Sequence, residues 1–412
     1  MTTSDPAALV ERAFRDDQGA AVGSLVRAFG DITLAEESVQ EAYALALDRW
    51  SFDPPDNPGG WILTTARNRA IDKLRRAGRL EAKTAEMAVE LDRRQTAADG
   101  LHVRDTIADD RLRLMFTCCH PSLDREAGVA LLLRLVSGLT TPQIAHAFMV
   151  KEATMAARIT RAKKRIRSAD VPFRMPPDHE LGERVAGVLA GVYLVFNEGY
   201  LRSDGDGLVD GGLCGEAIRL GRLLYRLMPD DAEVMGLLAL MLIVDSRRAA
   251  RSRGRRLVTM AEQDRSRWDR DRIAEGCALV EQALRRGQPG TYQLQAAIQA
   301  VHAESSSIED TDWAQIVGLY EVLLIASPSP VVQLNHAVAI GMAEGPAAGL
   351  RRLDGLLSVL EGNHLLHAAR GDFLSRLDRH EDAVEAFARA VELTGNTVEQ
   401  RFLQQRIDDL TA

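Results

Sequence analysis

Apolar side chains recur every three to four residues in long stretches of the chain, which is the spacing of helices with one buried face. The clearest stripe lies within residues 139–167, at intervals of four, three and four, and consists of Met155, Ile159, Ala162 and Ile166. The opposite face is basic and includes Arg158, Arg161, Lys164 and Arg165. This pattern predicts a helix that either enters a DNA major groove or has an ordinary solvated basic face.

A shorter helix is predicted directly before this basic helix. Thr140 or Thr141 can cap its start, and Gln143 is placed to complete a capping box. A tight turn at Val150 and Lys151 would separate the two helices. The pair therefore predicts a helix-turn-helix.

The apolar positions of residues 33–50 also follow a helix, for which Thr33 and Glu36 would form a capping box. The polar face of this helix is acidic. Together with the aspartate before the helix it forms an acidic strip, which consists of Asp31, Glu36, Glu37, Gln40 and Glu41. The strip suits a basic partner surface, and the alternative is simple solvation of a charged face.

A third helix is predicted for residues 61–79, after a loop at 52–60 that contains three prolines and two glycines. Six basic residues against the single Asp72 give this helix a net charge of +5. Trp61 stands at its start, where an aromatic ring can stack on an unpaired base or anchor the protein core. The helix is therefore a second candidate for DNA contact.

From residue 181 onward the pattern predicts long apolar helices packed in pairs. The longest apolar run, residues 234–244, has about half of the ~20 residues that a membrane-spanning helix needs, so no membrane span is expected. Toward the C-terminus similar residues recur 34 positions apart, which is the period of tetratricopeptide-type helical hairpins. Stacked hairpins form a concave surface, so we expect this part to bind a protein or a small ligand.

The chain is therefore predicted to be all-α, with boundaries at segments that lack long apolar stripes or contain several prolines. The predicted parts are a first helical domain at 1–80, a linker at 81–104, a helix-turn-helix domain at 105–168, a linker at 169–180 and a tetratricopeptide-like domain at 181–412.

Composition narrows the function further. The chain of 412 residues is 46% hydrophobic and carries a net charge of −8, which argues against a protein that coats nucleic acid and leaves DNA contacts to local basic patches. Its four cysteines show neither disulfide nor metal spacing, and the N-terminus lacks an export pattern. We therefore expect a cytoplasmic protein without a metal or another cofactor.

The C-terminal half gives little sign of enzymatic chemistry. The polar clusters at 196–200 and 309–313 contain no recognisable pairing of nucleophile and base, and we expect no enzyme. A buried Asn197 and Glu198 beside a deep cavity would favour one. The basic segment at 247–256 is expected to be an exposed loop.

Three segments, in chain order, resemble regions 2 and 4 of the extracytoplasmic-function sigma factors. They are GDITLAEESVQEAYALALDRW, NPGGWILTTARNRAIDKLRR and GLTTPQIAHAFMVKEATMAARITRAKKRIR, and the resemblance covers about residues 10–168. The remainder looks like the subgroup with a large tetratricopeptide-like C-terminal extension. The segments that carry this likeness are TCCHP at 117–121, PFRMP at 172–176, FNEGY at 196–200 and EDTDW at 309–313.

The resemblance implies a role for each candidate surface. The acidic strip would dock on the clamp coiled coil of the largest subunit of core RNA polymerase, and the protein would also contact the polymerase flap. The loop at 52–60 would open and recognise the −10 promoter element, together with Trp61, Asn68, Asp72, Arg75 and Arg76. The −35 element would be recognised by Glu152, Thr154, Met155, Arg158, Arg161 and Lys164. Promoter opening would need no covalent chemistry.

Two features depart from the family pattern. Lys151 and Ala156 stand where the family commonly has a small capping residue and a lysine, which implies an unusual −35 preference. The extension is implied to regulate the protein in place of a membrane-bound partner. The alternative function is a free-standing helix-turn-helix regulator with a ligand-sensing or protein-sensing C-terminal domain, and a palindromic operator bound without polymerase would favour it.

Overall fold

A computed structural model describes residues 6–76, 102–148, 150–201, 204–205, 209, 211–253 and 256–411. These residues are predominantly helical, so the predicted all-α class is confirmed. The chain divides into two compact units, Met1–Gly191 and Val192–Ala412. Residues 81–101 of the predicted linker lie outside the described ranges.

The helices of the first unit come from both predicted N-terminal domains and, in the case of the first part of α8, from the chain beyond them. They are α1 Pro6–Phe29, α2 Ile32–Arg49, α3 Pro58–Arg76, α4 His102–Cys118, α5 Arg125–Leu135, α6 Thr141–Ala147, α7 Glu152–Ser168 and the first part of α8 Asp178–Tyr200. The core forms where α1 packs on α2, α3 and α4, and where α5 packs on α7. Large side chains that are fully buried there include Trp50, Ile62, Phe116 and Leu131.

The start of α2 differs from the sequence prediction. Asp31 is the N-cap, and its carboxylate accepts hydrogen bonds from the backbone N–H groups of Thr33 and Leu34 at 2.8 and 3.1 Å. The capping box predicted for Thr33 and Glu36 is therefore wrong. Asp31 already satisfies the first free amides of the helix, so Thr33 lies inside the first turn.

The helix-turn-helix has the predicted local structure. The backbone N–H of Thr140 donates to the Gln143 side chain at 2.9 Å, and the Gln143 backbone N–H donates to the Thr140 hydroxyl at 3.4 Å. This pair is the predicted capping box, and α6 follows it directly. In α7 the buried residues are the predicted stripe of Met155, Ile159, Ala162 and Ile166.

The second unit continues with helices arranged largely as consecutive pairs. They are the last part of α8, then α9 Gly211–Leu227, α10 Ala232–Ser246, α11 Arg270–Leu284, α12 Thr291–Glu304, α13 Trp313–Ala326, α14 Pro330–Ala343, α15 Pro346–Asp354, α16 Leu357–Leu360, α17 His364–Ser375, α18 His380–Leu393 and α19 Thr397–Thr411. Short 3-10 turns occupy Arg248–Ala250, Met260–Glu262 and Arg265–Arg267.

Four two-residue strands complete the described structure of this unit. β1 Asp204–Gly205 pairs in parallel with β4 Gly395–Asn396, and β2 Ser252–Arg253 pairs antiparallel with β3 Arg256–Leu257. Helix α10, which contains the long apolar run, is buried along almost its whole length among α9, α11 and α12. No helix in the described part of the chain combines the length and apolar character that crossing a bilayer needs.

The predicted 34-residue spacing corresponds to two successive helical hairpins. Helices α14 and α17 begin at Pro330 and His364, and their partners α15 and α18 begin at Pro346 and His380, each pair 34 residues apart. Small residues allow the helices to pack closely. A Cβ on Gly371, for example, would lie 2.7 Å from the Phe387 ring, which is closer than the ring could remain.

Candidate nucleic-acid and partner interfaces

Helix α7 presents most of the predicted −35 residues to solvent. Glu152, Thr154, Arg161 and Lys164 are exposed. Met155 is fully buried in the stripe that packs on the rest of the first unit. A side-chain contact of Met155 with a base is therefore wrong, because the same helical spacing that exposes its neighbours turns this residue into the core.

Arg158 is half-buried and held in place by two neighbours. Its guanidinium lies 2.8 Å from the Glu126 carboxylate, and its Cζ lies 5.8 Å from the Phe148 ring centre. A cavity of about 710 Å³ adjoins it between α7 and the start of α5. The charged residues that line the cavity are Asp124, Arg125, Glu126, Arg158, Arg161 and Arg165. Arginines arranged in this way can bind backbone phosphates, with Glu126 fixing the direction of Arg158.

The predicted −10 residues lie on α3 and the loop before it. Asn68, Asp72, Arg75 and Arg76 are exposed. Trp61 is half-exposed, and its ring meets the buried Trp50 ring edge to face at 5.5 Å. Trp61 thus anchors the helix to the core while part of its surface remains open to a base. Phe52, in the loop, is 91% exposed.

The acidic strip is only partly the outward surface that the sequence predicted. Glu36 is 5% exposed, so its placement on the outer face is wrong. Arg134 Nε lies 2.6 Å from one carboxylate oxygen of Glu36, and Lys163 Nζ pairs with the other. Arg167 donates to both carboxylate oxygens of Asp31 at 2.9 and 3.0 Å. Cations from α5 and α7 thus pair with Asp31 and Glu36, the N-terminal part of the strip.

The outer part of the strip is paired with α3. Glu37 and Glu41 are exposed, and Lys73 Nζ lies 3.0 and 2.9 Å from their carboxylates. Partial burial lowers the pKa of Lys73, but hydrogen bonds to Glu41 and Glu37 outweigh it, so the pKa is raised overall. Gln40 lies between them, half-exposed. The strip therefore carries charges that are already neutralised within the unit.

One expectation about the second unit is wrong. The segment at 247–256 does not begin as an exposed loop, since Arg247 is 3% exposed. The buried pair that would favour an enzyme does not form, because Asn197 is exposed. Within the described ranges, no three His, Cys, Asp or Glu side chains come together in a way that could hold a metal ion.

Family comparisons match three parts of the chain. Residues 14–80 match Sigma-70 region 2, residues 113–166 match Sigma-70 region 4, and residues 184–284 match DUF6596, a family of unknown function. The chain belongs to the sigma-70 family, as an extracytoplasmic-function type with a C-terminal extension. Sigma factors are DNA-binding transcription initiation factors without enzymatic chemistry. Helix α3 of this sigma factor lies in the region 2 match, and nearly all of α7 lies in the region 4 match.

Two relatives show how far the likeness of this sigma factor extends. An uncharacterised protein of Rhizobium meliloti is 44% identical over 399 residues, which cover 95% of this chain and 93% of that protein. The probable ECF RNA polymerase sigma factor SigI of Mycobacterium tuberculosis is 24% identical over 177 residues, which cover 43% of this chain and 60% of that protein. The whole arrangement, extension included, is thus shared with the first relative.

Sequence reasoning missed three residues of this sigma factor that act on the acidic strip. They are Arg134, Lys163 and Arg167, which pair with Glu36 and Asp31. A signal was present, because a strongly basic helix and an acidic helix in one chain are complementary. That complementarity predicts attraction, but the choice between an internal and an external partner depends on the tertiary structure.

Proposed function

We propose that this chain binds core RNA polymerase in the cytoplasm, directs initiation at promoters through their −10 and −35 elements, and is regulated by its C-terminal extension. The observation that carries the proposal is the pair of helices α3 and α7. Each exposes polar and basic side chains, and each lies in a segment matched to a DNA-binding region of sigma factors.

Recognition of the −35 element would use the exposed face of α7. Glu152 and Thr154 lie in its first turn, where side chains reach base edges in a major groove. Arg161 and Lys164 follow about two and three turns later, and the cavity beside Arg158 gives a backbone phosphate room between arginines. Phosphate contacts would fix the register in which the first turn meets the bases.

Recognition of the −10 element would use α3 and its preceding loop. Phe52 is almost wholly exposed, and Trp61 keeps part of its ring accessible. An apolar ring held in water gains contact area when an unpaired base stacks on it, at ~1–3 kcal/mol per base. The exposed Arg75 and Arg76 at the end of α3 would hold the phosphates of the same strand. The protein would therefore favour the opened strand over the duplex.

Polymerase binding would require the first unit to release its acidic strip. The clamp coiled coil would replace the internal cations Arg134, Lys163 and Arg167 as partner of Glu36 and Asp31. Because one pair of opposite charges is exchanged for another, the free energy that the exchange requires need not be large. The exchange would also release Lys163 and Arg167, at the flank and end of α7, to bind DNA phosphates. It would in addition allow the first unit to contact the polymerase flap.

Run-off transcription with core polymerase and the full-length chain tests the DNA-binding part. Arg161→Ala removes an exposed charge of α7 without disturbing the buried stripe, and we expect transcription from a −35-dependent promoter to fall about tenfold. Capture of core polymerase should remain. Arg285→Ala, at an exposed arginine of the extension, is the matched control. Undiminished transcription, or a core enzyme that ignores the chain at low salt, would contradict the proposal.

Two double variants test the polymerase-binding part. Lys163→Gln with Arg167→Gln removes two positive charges that occupy the strip, so we expect stronger capture of core polymerase in the absence of DNA. Glu37→Lys with Glu41→Lys reverses the outer part of the strip and should abolish capture. Equal capture by both variants would show that the strip is not the docking surface.

A further inference from the structure

Three arginines of the second unit lie close together and have no carboxylate within ion-pair distance among the described residues. Arg247 follows α10, Arg251 comes four residues later, and Arg265 begins a short 3-10 turn. Within the described ranges these three guanidinium groups form no ion pair, whereas Arg248 and Arg272 both pair with Asp245. Arg247 is almost completely buried, and a buried charge normally has a counter-charge.

The arginines are held by aromatic rings. The Cζ atoms of Arg247 and Arg265 lie 5.8 and 4.6 Å from the ring centre of the same buried Trp268, and the Cζ of Arg251 lies 3.9 Å from the Tyr200 ring. A cation–π contact of this kind restricts where a guanidinium lies and leaves its N–H groups able to donate to acceptors. The side chains are thus oriented before any ligand arrives.

Hydrogen bonds attach two of these arginines to α12. Arg247 donates to Gln299 Oε1 at 2.5 Å, and Arg265 donates to the backbone carbonyls of His302 and Ser305, the former at 2.9 Å. The His302 ring in turn meets the Trp313 ring at 5.1 Å. The two polar clusters that stood out in the sequence, 196–200 and 309–313, therefore contribute Tyr200 and Trp313 to the surroundings of one arginine group.

Several nitrogens of this group are buried without a hydrogen-bond partner in the part of the chain that the structure describes. They are Arg247 Nε, Arg265 Nη2, Trp268 Nε1 and His302 Nδ1. Each such atom is unfavourable by itself, and folded proteins rarely leave several together. Both arginines stack on Trp268, and Arg265 also bonds to the backbone of His302, so these atoms belong to one contiguous cluster.

Burial and mutual repulsion both act against positive charge in this cluster. Burial lowers the pKa of Arg247 and of Arg265, and repulsion between cationic neighbours lowers both further. Burial and the same two arginines lower the pKa of His302 to about 4, so its ring is neutral near pH 7. An anion would offset the repulsion that these groups now experience.

The nearby carboxylates do not fill this role. Glu309 and Asp310 raise the pKa of Arg265 from beyond ion-pair distance, and Asp310 accepts hydrogen bonds from the hydroxyls of Ser306 and Ser307. Glu399, which faces Arg251, accepts a hydrogen bond from Thr394 and pairs with His364. Each of these three acidic groups is therefore at a distance from the cluster or engaged by other partners.

We propose that Arg247, Arg265 and His302 form a binding site for a small molecule that carries a phosphate or carboxylate group. An oxyanion offers several acceptors in one plane or tetrahedron. The unpartnered nitrogens of the two guanidinium groups and the indole, and the imidazole nitrogen in the tautomer that carries its proton, can each donate a hydrogen bond to it. Arg247 and His302 are buried and Arg265 is half-exposed, so Arg265 lies on the entry side. The site is independent of the proposed promoter function, since its binding needs neither polymerase nor DNA.

Titration of the full-length chain with inorganic phosphate and, separately, with citrate tests the site. Calorimetry at ionic strength matched with chloride should detect binding of at least one anion. Arg265→Met should weaken that binding at least about tenfold, because it removes a charged donor at a half-exposed position. Arg285→Met, at the exposed arginine that pairs with Glu281 in the same unit, should bind like the unaltered chain.

Absence of binding by both anions, or equal binding by Arg265→Met and the unaltered chain, would overturn the proposal. A second measurement uses the unaltered chain, so it does not depend on whether a variant folds. The His302 pKa, followed by NMR, should rise from about 4 when the anion is saturating, since the anion offsets the two arginine charges. An unchanged pKa would refute the site, and the anion that raises it at the lower concentration distinguishes a phosphate from a carboxylate ligand.

Discussion

A buried carboxylate in the first unit of this sigma factor and a buried arginine in the second have opposite surroundings. In the first unit Glu36 is enclosed by Arg134 and Lys163, and the rest of the acidic strip is paired with Lys73 and Arg167. In the second unit Arg247 is at least as deeply buried but has no carboxylate partner in the described ranges. Matched charges stabilise one internal arrangement, whereas unmatched charges of one sign favour whatever supplies the other sign.

Glu36→Gln should produce the largest effect, because it breaks the matched arrangement at its centre. Two cations of low exposure lose their counter-charge, and we expect the free energy of unfolding of the first unit to fall by about 3 kcal/mol. Chemical denaturation followed by circular dichroism measures this. Glu37→Gln, at an exposed carboxylate of the same strip, should change stability by less than about 0.5 kcal/mol. Equal effects would remove the distinction between the inner and outer strip.

Acidification should weaken the second unit through His302. Its pKa is about 4 in the folded protein against 6.5 ordinarily, so between these values the unfolded chain binds the extra proton and stability falls as pH falls. The loss between pH 7 and pH 5 amounts to about 2 kcal/mol. Melting curves of the unaltered chain and of His302→Gln, compared at both pH values, isolate this loss. A variant with the same pH response would show that the pKa of His302 is not lowered in the folded protein.

Arg167→Ala should have a small effect, since its pair with Asp31 is largely exposed. We expect a change of about 0.2–1 kcal/mol at low salt and less at high salt, because surface pairs are screened. Denaturation at two salt concentrations measures it. An effect as large as that of Glu36→Gln would mean that the outer pair, rather than the buried one, closes the unit.

Arg247→Met should change the stability of the anion-free protein least, by no more than about 1 kcal/mol, although the residue is buried. The apolar replacement removes an unmatched charge together with its favourable contacts, so the two contributions nearly cancel. The same denaturation experiment checks it without phosphate or carboxylate in the buffer. If the free energy of unfolding fell by about 3 kcal/mol, the charge of Arg247 would be matched like that of Glu36, and the contrast between the two residues would not hold.

Local patterns predicted the parts of this molecule that local interactions determine. The stripe of α7 and the capping box between Thr140 and Gln143 formed as expected, because both depend on residues within one or two turns. The 34-residue spacing identified the C-terminal hairpins for a similar reason. Each hairpin is a short unit whose small residues, such as Gly371, recur at its contact points.

The sequence could not decide which charged residues are buried. Glu36 and Glu37 are adjacent and chemically alike, yet one is enclosed by residues about 100 and 130 positions away and the other is exposed. Arg247 opens a segment so rich in arginine that solvation was the natural expectation. Its burial depends on Trp268 and Gln299, which approach it only in the tertiary structure.

The burial of α10 on nearly all sides limits how a gene for such a protein can change. A premature stop codon or a protease cut that removes α11 and α12 would expose the apolar surface of α10 to solvent. The resulting fragment would aggregate or be degraded. The hairpins that cover α10 therefore cannot be lost one at a time without destabilising the rest of the extension. We expect descendants of this chain to keep the block whole or to lose it in a single event.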